Sequence, residues 1–445
     1  MHINLPQDVK YIIDTLEKNS FEAYAVGGCV RDAVLGKTPK DWDICTQALP
    51  EQSAKCFDDK PIFETGLKHG TISLLLSGEI YEITTFRVDG VYKDNRRPES
   101  VKFVSELHND LARRDFTINA MAYHPDKGII DPFGGIDDIK HRLIRCVGDA
   151  NMRFDEDALR IMRALRFSSE LDFSIDFQTA NAIFDKKHLL NNIAAERIRA
   201  ELDRLLIGDN ALNVLTEYSR IIVTVIAEIS DMIGFEQNTP YHNLDVWNHT
   251  IKSVVNAPAD VILRLTMLLH DVGKPHCYTF EDGKGHFYGH QEVGAQMARK
   301  ILRRLKYDNN TVYAVTALIT HHDAYIPLRT KAIRRWLNRI GEERLRQLLL
   351  VKKADAMAQA AEFLKPRLDE LDAVAEVIDE IIRQGQCFSL KNLAVDGRDL
   401  IAAGITEGTE IGRLLNILLD MVINDEIEND HSALMEKIRK IQDLQ

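Results

Sequence analysis

The sequence predicts a small α/β head followed by an elongated, all-α body. Two observations carry that expectation. Through about residue 145, short β-type runs (AYAVGG, TISLLLSG, EIYEITTFRV and VKFV) alternate with helical stretches. After Gly148 strand signals almost vanish, and EDALRIMRALRFSSEL, DFQTANAIFDKKHLL and AAERIRAELDRLLIG carry helical periodicity instead. No fixed-period repeat and no low-complexity tract interrupts this division.

Composition bounds the classes of protein. At 445 residues the chain has room for about two to four domains. Its 45% hydrophobic and 28% charged residues are ordinary for a globular protein. No apolar run reaches the roughly 18 residues of a membrane span, and the opening MHINLPQDVK has no signal-peptide core, so a cytoplasmic protein without a membrane partner is expected. Cys29, Cys45, Cys56, Cys146, Cys277 and Cys387 are scattered with no CxxC pair, which points to reduced packing thiols rather than a zinc knuckle or a disulfide framework. A net charge of −12 argues against nonspecific coating of nucleic acid, although basic clusters at Arg113/Arg114, Lys140 to Arg145, Arg197/Arg199 and Lys331 to Arg346 leave room for a local groove.

The most informative stretch is GGCVRDAVLGKTPKDWD, residues 27 to 43. Gly27 and Gly28 lack Cβ atoms and let backbone N–H groups approach a triphosphate after the short strand AYAV, and Arg31 follows with a positive charge. Side chains at i and i+2 leave a strand on one face, so Asp41 and Asp43 are candidate ligands for one divalent metal. Such a metal would neutralise charge on a transferred phosphoryl group and lower the pKa of an attacking hydroxyl, the chemistry of a nucleotidyltransferase. Alone, a Gly-Gly pair is a turn and a DxD triplet a solvated loop. Glu82, on the strand-like run EIYEITTFR, is the preferred third acid, with Glu79 at the turn as its competitor. Further on, Arg113, Arg114 and Asp115 stand together, two guanidiniums to clamp triphosphate oxygens beside one carboxylate to accept from a ribose hydroxyl; the plainer alternative is a surface ion-pair cluster.

Taken in order, GGCVRDAVLG…DWDI, EITTFR, RRDFTINAMAY, DPFGGIDDI, RFDEDALRIMRALRF and AAERIRAEL resemble the class II tRNA nucleotidyltransferases, the bacterial CCA-adding enzymes and their poly(A) polymerase relatives, over roughly the first 210 residues. The resemblance implies a polymerase-beta-type head in which Asp41 and Asp43 hold two Mg2+ ions, with Glu82 as a catalytic third acid. It also implies a nucleotide-binding set of Gly27, Gly28, Arg31, Arg113, Arg114, Asp115, Asn119, Glu156, Asp157 and Arg160.

EDALR places Glu156, Asp157 and Arg160 at the start of a predicted helix, Asp157 and Arg160 on one face at i, i+3. Cytosine and adenine both present an amino donor beside a ring-nitrogen acceptor, whereas uracil and guanine reverse that order. A carboxylate beside a guanidinium therefore suits C and A, and the resemblance carries this role to Asp157 and Arg160, with Glu156 as an orienting neighbour. An ordinary i, i+3 salt bridge is the plainer alternative. Between the EITTFR and RRD motifs, FRVDGVYKDNRRPESVKFV has a polar centre (Gly90, Lys93, Asp94, Asn95, Arg96) that reads as a mobile loop. In the resembled family a working loop of this kind accompanies the switch to ATP. Bacterial poly(A) polymerases carry a longer basic tail than this acidic chain offers.

His249, His270 and Asp271 in RLTMLLHDVGKP, His290, and then His321, His322 and Asp323 form a second series, this one spaced over helices. Imidazoles with carboxylates suit a divalent metal on a helical bundle. LLHDVGKP resembles the HD superfamily of metal-dependent phosphohydrolases over roughly Tyr241 to Asp355, which implies a site of His249, His270, Asp271 and Asp355, with Asp323 competing for the last place and the metal's identity open. Its substrate class would be a cyclic phosphate or a phosphate end of RNA. The last segment, from LAVDGRDL onward, resembles the tRNA-contacting tail of CCA-adding enzymes, and Gly397, Gly404 and Gly408 mark turns there.

The expected division is a nucleotidyltransferase head (1–145), a neck with the nucleotide-selecting motif and RNA-binding helices (146–240), an HD domain (241–360) and a tRNA-binding tail (361–445). The expected activity is addition of C, C and A to tRNA from CTP and ATP without a nucleic-acid template. The competing expectations are an A-adding enzyme or poly(A) polymerase, and an HD phosphohydrolase whose head only binds RNA.

Overall fold

The computed structural model describes residues 2–67, 70–90, 92–93, 97–98, 101–241 and 243–442. Its contacts divide into two compact units, Met1–Ala227 and Glu228–Gln445. The first unit opens on a mixed seven-stranded sheet. In chain order its strands are β1 (Ala23–Val26), β2 (Asp43–Thr46), β3 (Ile62–Gly66), β4 (Thr71–Leu76), β5 (Glu79–Thr85), β6 (Ala122–His124) and β7 (Gly128–Ile130), in spatial order β7-β6-β1-β2-β5-β4-β3.

The strand AYAV is buried along all four residues, as a central strand covered on both faces must be. By contrast β4 alternates, burying Ile72, Leu74 and Leu76 while its other side chains stay partly open. The amphipathic helix Gln7–Lys18 supplies Val9, Ile12, Ile13 and Leu16 to the core. All pairings in this sheet are antiparallel except β2 with β5, which run parallel with Asp43 opposite Glu82.

The segment expected to be a mobile loop is flanked by paired backbone, Arg87–Asp89 with Val101–Phe103 and Tyr92–Lys93 with Arg97–Pro98. Asp94, Asn95 and Arg96 at its centre lie outside the described residues.

After the sheet the first unit becomes helical. Asp149 caps Ala150–Glu156 by accepting from Met152 N, and the central helix Leu159–Leu171 follows, buried at Leu159, Ile161, Met162, Ala164 and Leu165. Helix Ala195–Leu206 packs against it. EDALR does not open one helix, as the i, i+3 reading expects. Glu156 ends the preceding helix, Asp157 is extended (φ −137°, ψ 101°), and only from Leu159 does the next helix begin. The Asp157 carboxylate explains the break, because it accepts from Leu159 N at 3.1 Å and so competes with helix continuation.

The second unit is mostly helical: Val246–Asn256, Val261–Leu269, His290–Arg304, Asn309–His321, Thr330–Ala356 and Leu364–Arg383. Asp245, Asp260 and Asp308 cap three of these helices. A hairpin of Thr279–Glu281 and Lys284–His286 is a strand pair that the helical reading of this region misses. Gly397–Ala402, Gly408–Ile423 and His431–Gln442 close a separate apolar cluster around Leu400, Leu418 and Leu434. There Gly397 and Gly408 begin helices rather than mark turns. All six cysteines are free. Among the described residues, no helix is long and apolar enough to cross a membrane.

Candidate functional site

Strand β1 runs directly into Gly27, whose φ of +85° only glycine adopts without strain. A Cβ there would also come within 2.7 Å of Arg114 Nη1, so the missing side chain is what admits the guanidinium. From the short helix begun by Gly28, Arg31 donates to Asn119 Oδ1 at 2.7 Å and to Asp32 Oδ1. Asn119 in turn donates to Asp115 Oδ1 at 3.1 Å.

The three candidate acids meet beside this turn. Asp43 is the first residue of β2 and Asp41 lies in the bend just before it, so the same-strand reading holds for Asp43 alone. Glu82 stands next to Asp43 in parallel register, whereas Glu79 sits opposite Leu76 at the hairpin end. Partial burial raises the Asp43 carboxyl pKa, Arg114 pulls it down, and the charges of Glu82 and Asp41 push it up again. Among the described residues these acids do not form a group with oxygens all within 4.8 Å. Mutual repulsion among oxygen-only donors still fits a hard cation such as Mg2+.

Arg113 and Arg114 form their ion pairs with the fully buried Asp110, at 2.8 Å and 3.4 Å, an acid that the sequence reading passes over. Asp115 is instead held by two bonds from Arg163, at 2.8 Å and 2.6 Å. Burial alone would raise its pKa, but Arg163, Asn119 and Arg160 outweigh that and hold it well below the usual carboxylate range. The cluster is thus buried, not the surface ion pair of the plainer alternative.

A cavity of about 280 Å³ joins Arg114, Asp115, Asp157, Arg160, Arg163 and Arg197. Asp157 and Arg160 both line it, and the Arg160 backbone N–H donates to Asp157 O at 3.0 Å. Asp157 Oδ2 accepts from Arg197 Nη2 at 2.9 Å, while Arg160 donates to Glu156 Oε2 at 2.6 Å and to the carbonyls of Arg153 and Arg113. Arg163 and Arg197 are site residues missing from the sequence reading. Arg197 carries a sequence signal in the basic pair Arg197/Arg199, whereas Arg163 shows only a place in the motif RIMRALRF.

In the second unit, helix ends converge on Asp271. His249 comes from Val246–Asn256, His270 follows Val261–Leu269, His290 starts its helix, His322 follows Asn309–His321, and Asp355 lies in the last turn of Thr330–Ala356. His249 Nε2 lies 2.9 Å from Asp355 Oδ1, and His270 Nε2 lies 3.1 Å from Asp271 Oδ2. Gly273 permits this convergence, since a Cβ there would meet His290 O at 2.4 Å. His290 and His322 therefore join the four expected residues; their sequence signal was membership in the histidine series. Asp355 rather than Asp323 belongs to the cluster, Asp323 only lining the adjoining cavity, and His321 packs edge-on against Trp336.

These residues fit a metal. Asp271 is buried with Oδ2 paired to Lys274 Nζ at 2.7 Å and 3.1 Å from His270 Nε2, while Oδ1 accepts no hydrogen bond and is left for a cation. Burial would lower the His270 imidazole pKa, but Asp271 and Asp355 outweigh it and pull it up to about 10. The two carboxylates attract positive charge, of which Lys274 supplies part and a bound cation would supply more.

Asp110 and Asp115 set an acid limit for the first unit. Both folded pKa values lie below the unfolded value of about 3.9, so their contribution is complete above that pH and is lost as pH falls through the lowered values. Urea midpoints of the first unit should fall between pH 5 and pH 2. Asp115→Asn should cost about 3 kcal/mol at pH 7 and shrink that acid-dependent fall, because the buried Arg163 contact loses its charge partner. An unchanged acid profile would contradict the pairing.

The family model described as the Poly A polymerase head domain matches residues 23–145, the RNA and SrmB-binding site of polymerase A matches 172–218, and tRNA nucleotidyltransferase domain 2 matches 290–438. The chain is 31% identical to the CCA-adding enzyme of Pediococcus pentosaceus over 98% of each chain. It is 34% identical to that of Limosilactobacillus reuteri, over 97% of this chain and 95% of the relative. Among solved structures, the Bacillus stearothermophilus CCA-adding enzyme in complex with CTP is 30% identical, with a TM-score of 0.70 over 99% of this chain and 100% of that one. The Thermotoga maritima CCA-adding enzyme complexed with tRNA, at 20% identity, 98% and 96% coverage and a TM-score of 0.60, shares the fold. With near-complete coverage at this identity, the chain belongs to the CCA-adding enzyme family.

Proposed function

We propose that the chain adds C, C and A to the 3′ end of tRNA, using CTP and ATP and no nucleic-acid template. The observation that carries this reading is the position of Arg114. Its guanidinium fills the space left by Gly27, bears on the charge of Asp43, and lines the cavity that contains Asp157 and Arg160. Phosphate cradle, acid set and base-selecting pair thus meet at one side chain.

Asp41, Asp43 and Glu82 would hold Mg2+, which when bound neutralises phosphate charge and lowers the pKa of the attacking 3′-hydroxyl. Gly27 N–H is committed to Met121 O at 3.0 Å, so the triphosphate would meet the Gly28 side of the turn, with Arg31, Arg113 and Arg114 supplying positive charge. Asp115 and Asn119 form the bridge from Arg31 to Arg163 that keeps this face rigid. Asp157 accepts from the amino group of C or A, and Arg160 donates to the adjacent ring nitrogen. Glu156 and Arg197 position that pair. We assign 1–145 to the chemistry, 146–240 to base choice and RNA contact, 241–360 to the second metal centre and 361–445 to tRNA binding, in a cytoplasmic protein.

A second reading adds hydrolysis at the body site, supported by the two metal-ligand groups that converge there, His249/His270/Asp355 and Asp271/His290/His322. His249, His270, Asp271 and Asp355 would hold a divalent cation that activates attack on a phosphoester, such as a cyclic or terminal phosphate of RNA.

With tRNA transcripts lacking CCA, labelled CTP and ATP should both be incorporated. Incorporation of neither would sink the transferase reading, and A alone on a CC-ended transcript would select an A-adding enzyme. Asp43→Ala should abolish addition, and Arg160→Ala should admit UTP or GTP; unchanged C and A selectivity would remove the base-reading role. In the same preparations Asp41→Ala should spare phosphoester hydrolysis, while the double variant His270→Ala, Asp271→Ala should lose hydrolysis and keep addition. Loss of both activities in either variant would contradict independent sites.

A further inference from the structure

We propose that the open face of strands β5, β4 and β3 is the platform on which the 3′-terminal nucleoside of the acceptor RNA lies, with Phe63 and Ile80 as its stacking residues. The inference rests on the transferase reading and deepens it by assigning the acceptor side of the reaction.

Side chains that stand opposite one another on paired strands share a face of the sheet. The register sets Asp43, Glu82, Ser73 and Phe63 in one row across β2, β5, β4 and β3. Burial fixes which face this is. Ile72, Leu74, Leu76, Ile83 and Thr85 point into the core, so the row stands on the opposite, open face. Two apolar side chains stay exposed there, Phe63 at 46% and Ile80 at 61%. Leu75 lies opposite Ile80 and diagonal to Phe63, which joins the two into one patch. The row that begins with two acids thus ends on an aromatic ring two strand spacings, roughly 10 Å, beyond Glu82. One nucleoside bridges such a span, from its 3′-hydroxyl to the far edge of its base.

Sheet order decides what lies there. Gly27, at the end of β1, and Arg114 beside it mark the triphosphate side of Asp43, whereas β5, β4 and β3 extend from its other side. In phosphoryl transfer the attacking and leaving oxygens stand in line on opposite sides of the phosphorus. With the triphosphate on the β1 side, the attacking 3′-hydroxyl has to come from the β5 side. The nucleoside that carries it then covers Ser73, Ile80 and Phe63.

The chemistry of the face suits that occupant. The acceptor end changes its base as addition proceeds, so its seat has to tolerate any base. Stacking does this, because every base has a π-face. Hydroxyls of Ser73 and of Thr71 and Thr84, whose Oγ1 atoms lie 3.0 Å apart, border the patch and suit the 2′-hydroxyls of RNA. Asp157 and Arg160, on the triphosphate side, offer the charged pair that an incoming base needs for selection.

The test compares rates of labelled CTP addition to a transcript lacking CCA for wild type, Phe63→Ser, Ile80→Ser and Phe63→Tyr. Phe63→Ser should raise the KM for RNA about tenfold, the scale of one lost stacking contact, and leave the KM for CTP unchanged. Ile80→Ser should act in the same direction, and Phe63→Tyr should keep wild-type values. An unchanged KM for RNA in Phe63→Ser would overturn the platform, and so would an equal rise in both KM values, the mark of a disturbed fold. No addition by wild type would overturn the transferase reading and the platform with it. Wild-type kinetics with altered sedimentation would assign the face to a second copy of the chain and overturn the RNA platform. Should Phe63→Ser misfold, a crosslink to the wild-type chain decides. A transcript ending in a photoreactive thiouridine should label strands β3 to β5, and label confined to other segments overturns the proposal.

Discussion

Asp110 is the buried anion on which the active face of the head depends. It is fully excluded from solvent, accepts from both Arg113 and Arg114, and also receives the backbone N–H of Arg87. Left alone, such a carboxylate would be protonated by burial; the two guanidiniums keep it charged, and it keeps them in place. Arg114 then reaches the space beside Gly27 and the field of Asp43. The glycine, the strand acid and the cavity beyond are therefore organised around one ion cluster, and the phosphate turn has its shape because a guanidinium occupies it.

Local pattern made much of this legible. The buried run AYAV, the Gly-Gly turn and the switch to helical periodicity after Gly148 are all decided within a few residues, and they appear in the structure where the pattern puts them. Pairings across long separations were not legible. Arg113 and Arg114 sit next to Asp115 in sequence, yet backbone direction turns them to Asp110, while Asp115 meets Arg163 from a helix 48 residues on. Asp157 likewise finds Arg197, and EDALR reads as one helix only until its aspartate is seen to accept from Leu159 N and break the run. Adjacency in sequence says little about partnership when each side chain leaves a different face.

The body shows the same asymmetry. LLHDVGKP advertises a metal turn because His and Asp are adjacent, but His290 and His322 are recruited through helix ends. Each is fixed by a carbonyl three residues earlier, Phe287 O and Ile319 O. That contact arises from the turn at a helix terminus, which no spacing between histidines encodes. Gly273 adds a packing condition, since the turn can approach the start of the next helix only without a Cβ.

Charge explains how an acidic chain can serve polyanionic substrates. The net charge is −12, yet the acids nearest the head cavity are committed: Asp110 to Arg113 and Arg114, Asp115 to Arg163, Glu156 to Arg153 and Arg160. The cavity lining itself carries five guanidiniums, Arg113, Arg114, Arg160, Arg163 and Arg197, against two carboxylates, Asp115 and Asp157, and is therefore locally positive. The acids that retain repulsion are Asp41, Asp43 and Glu82, at the one place where a cation is needed. The body site meets the same requirement with imidazoles, a softer donor set. An all-oxygen set at one site and a mixed imidazole–carboxylate set at the other would favour different cations by chemistry, without either having to exclude the other's ion by shape alone.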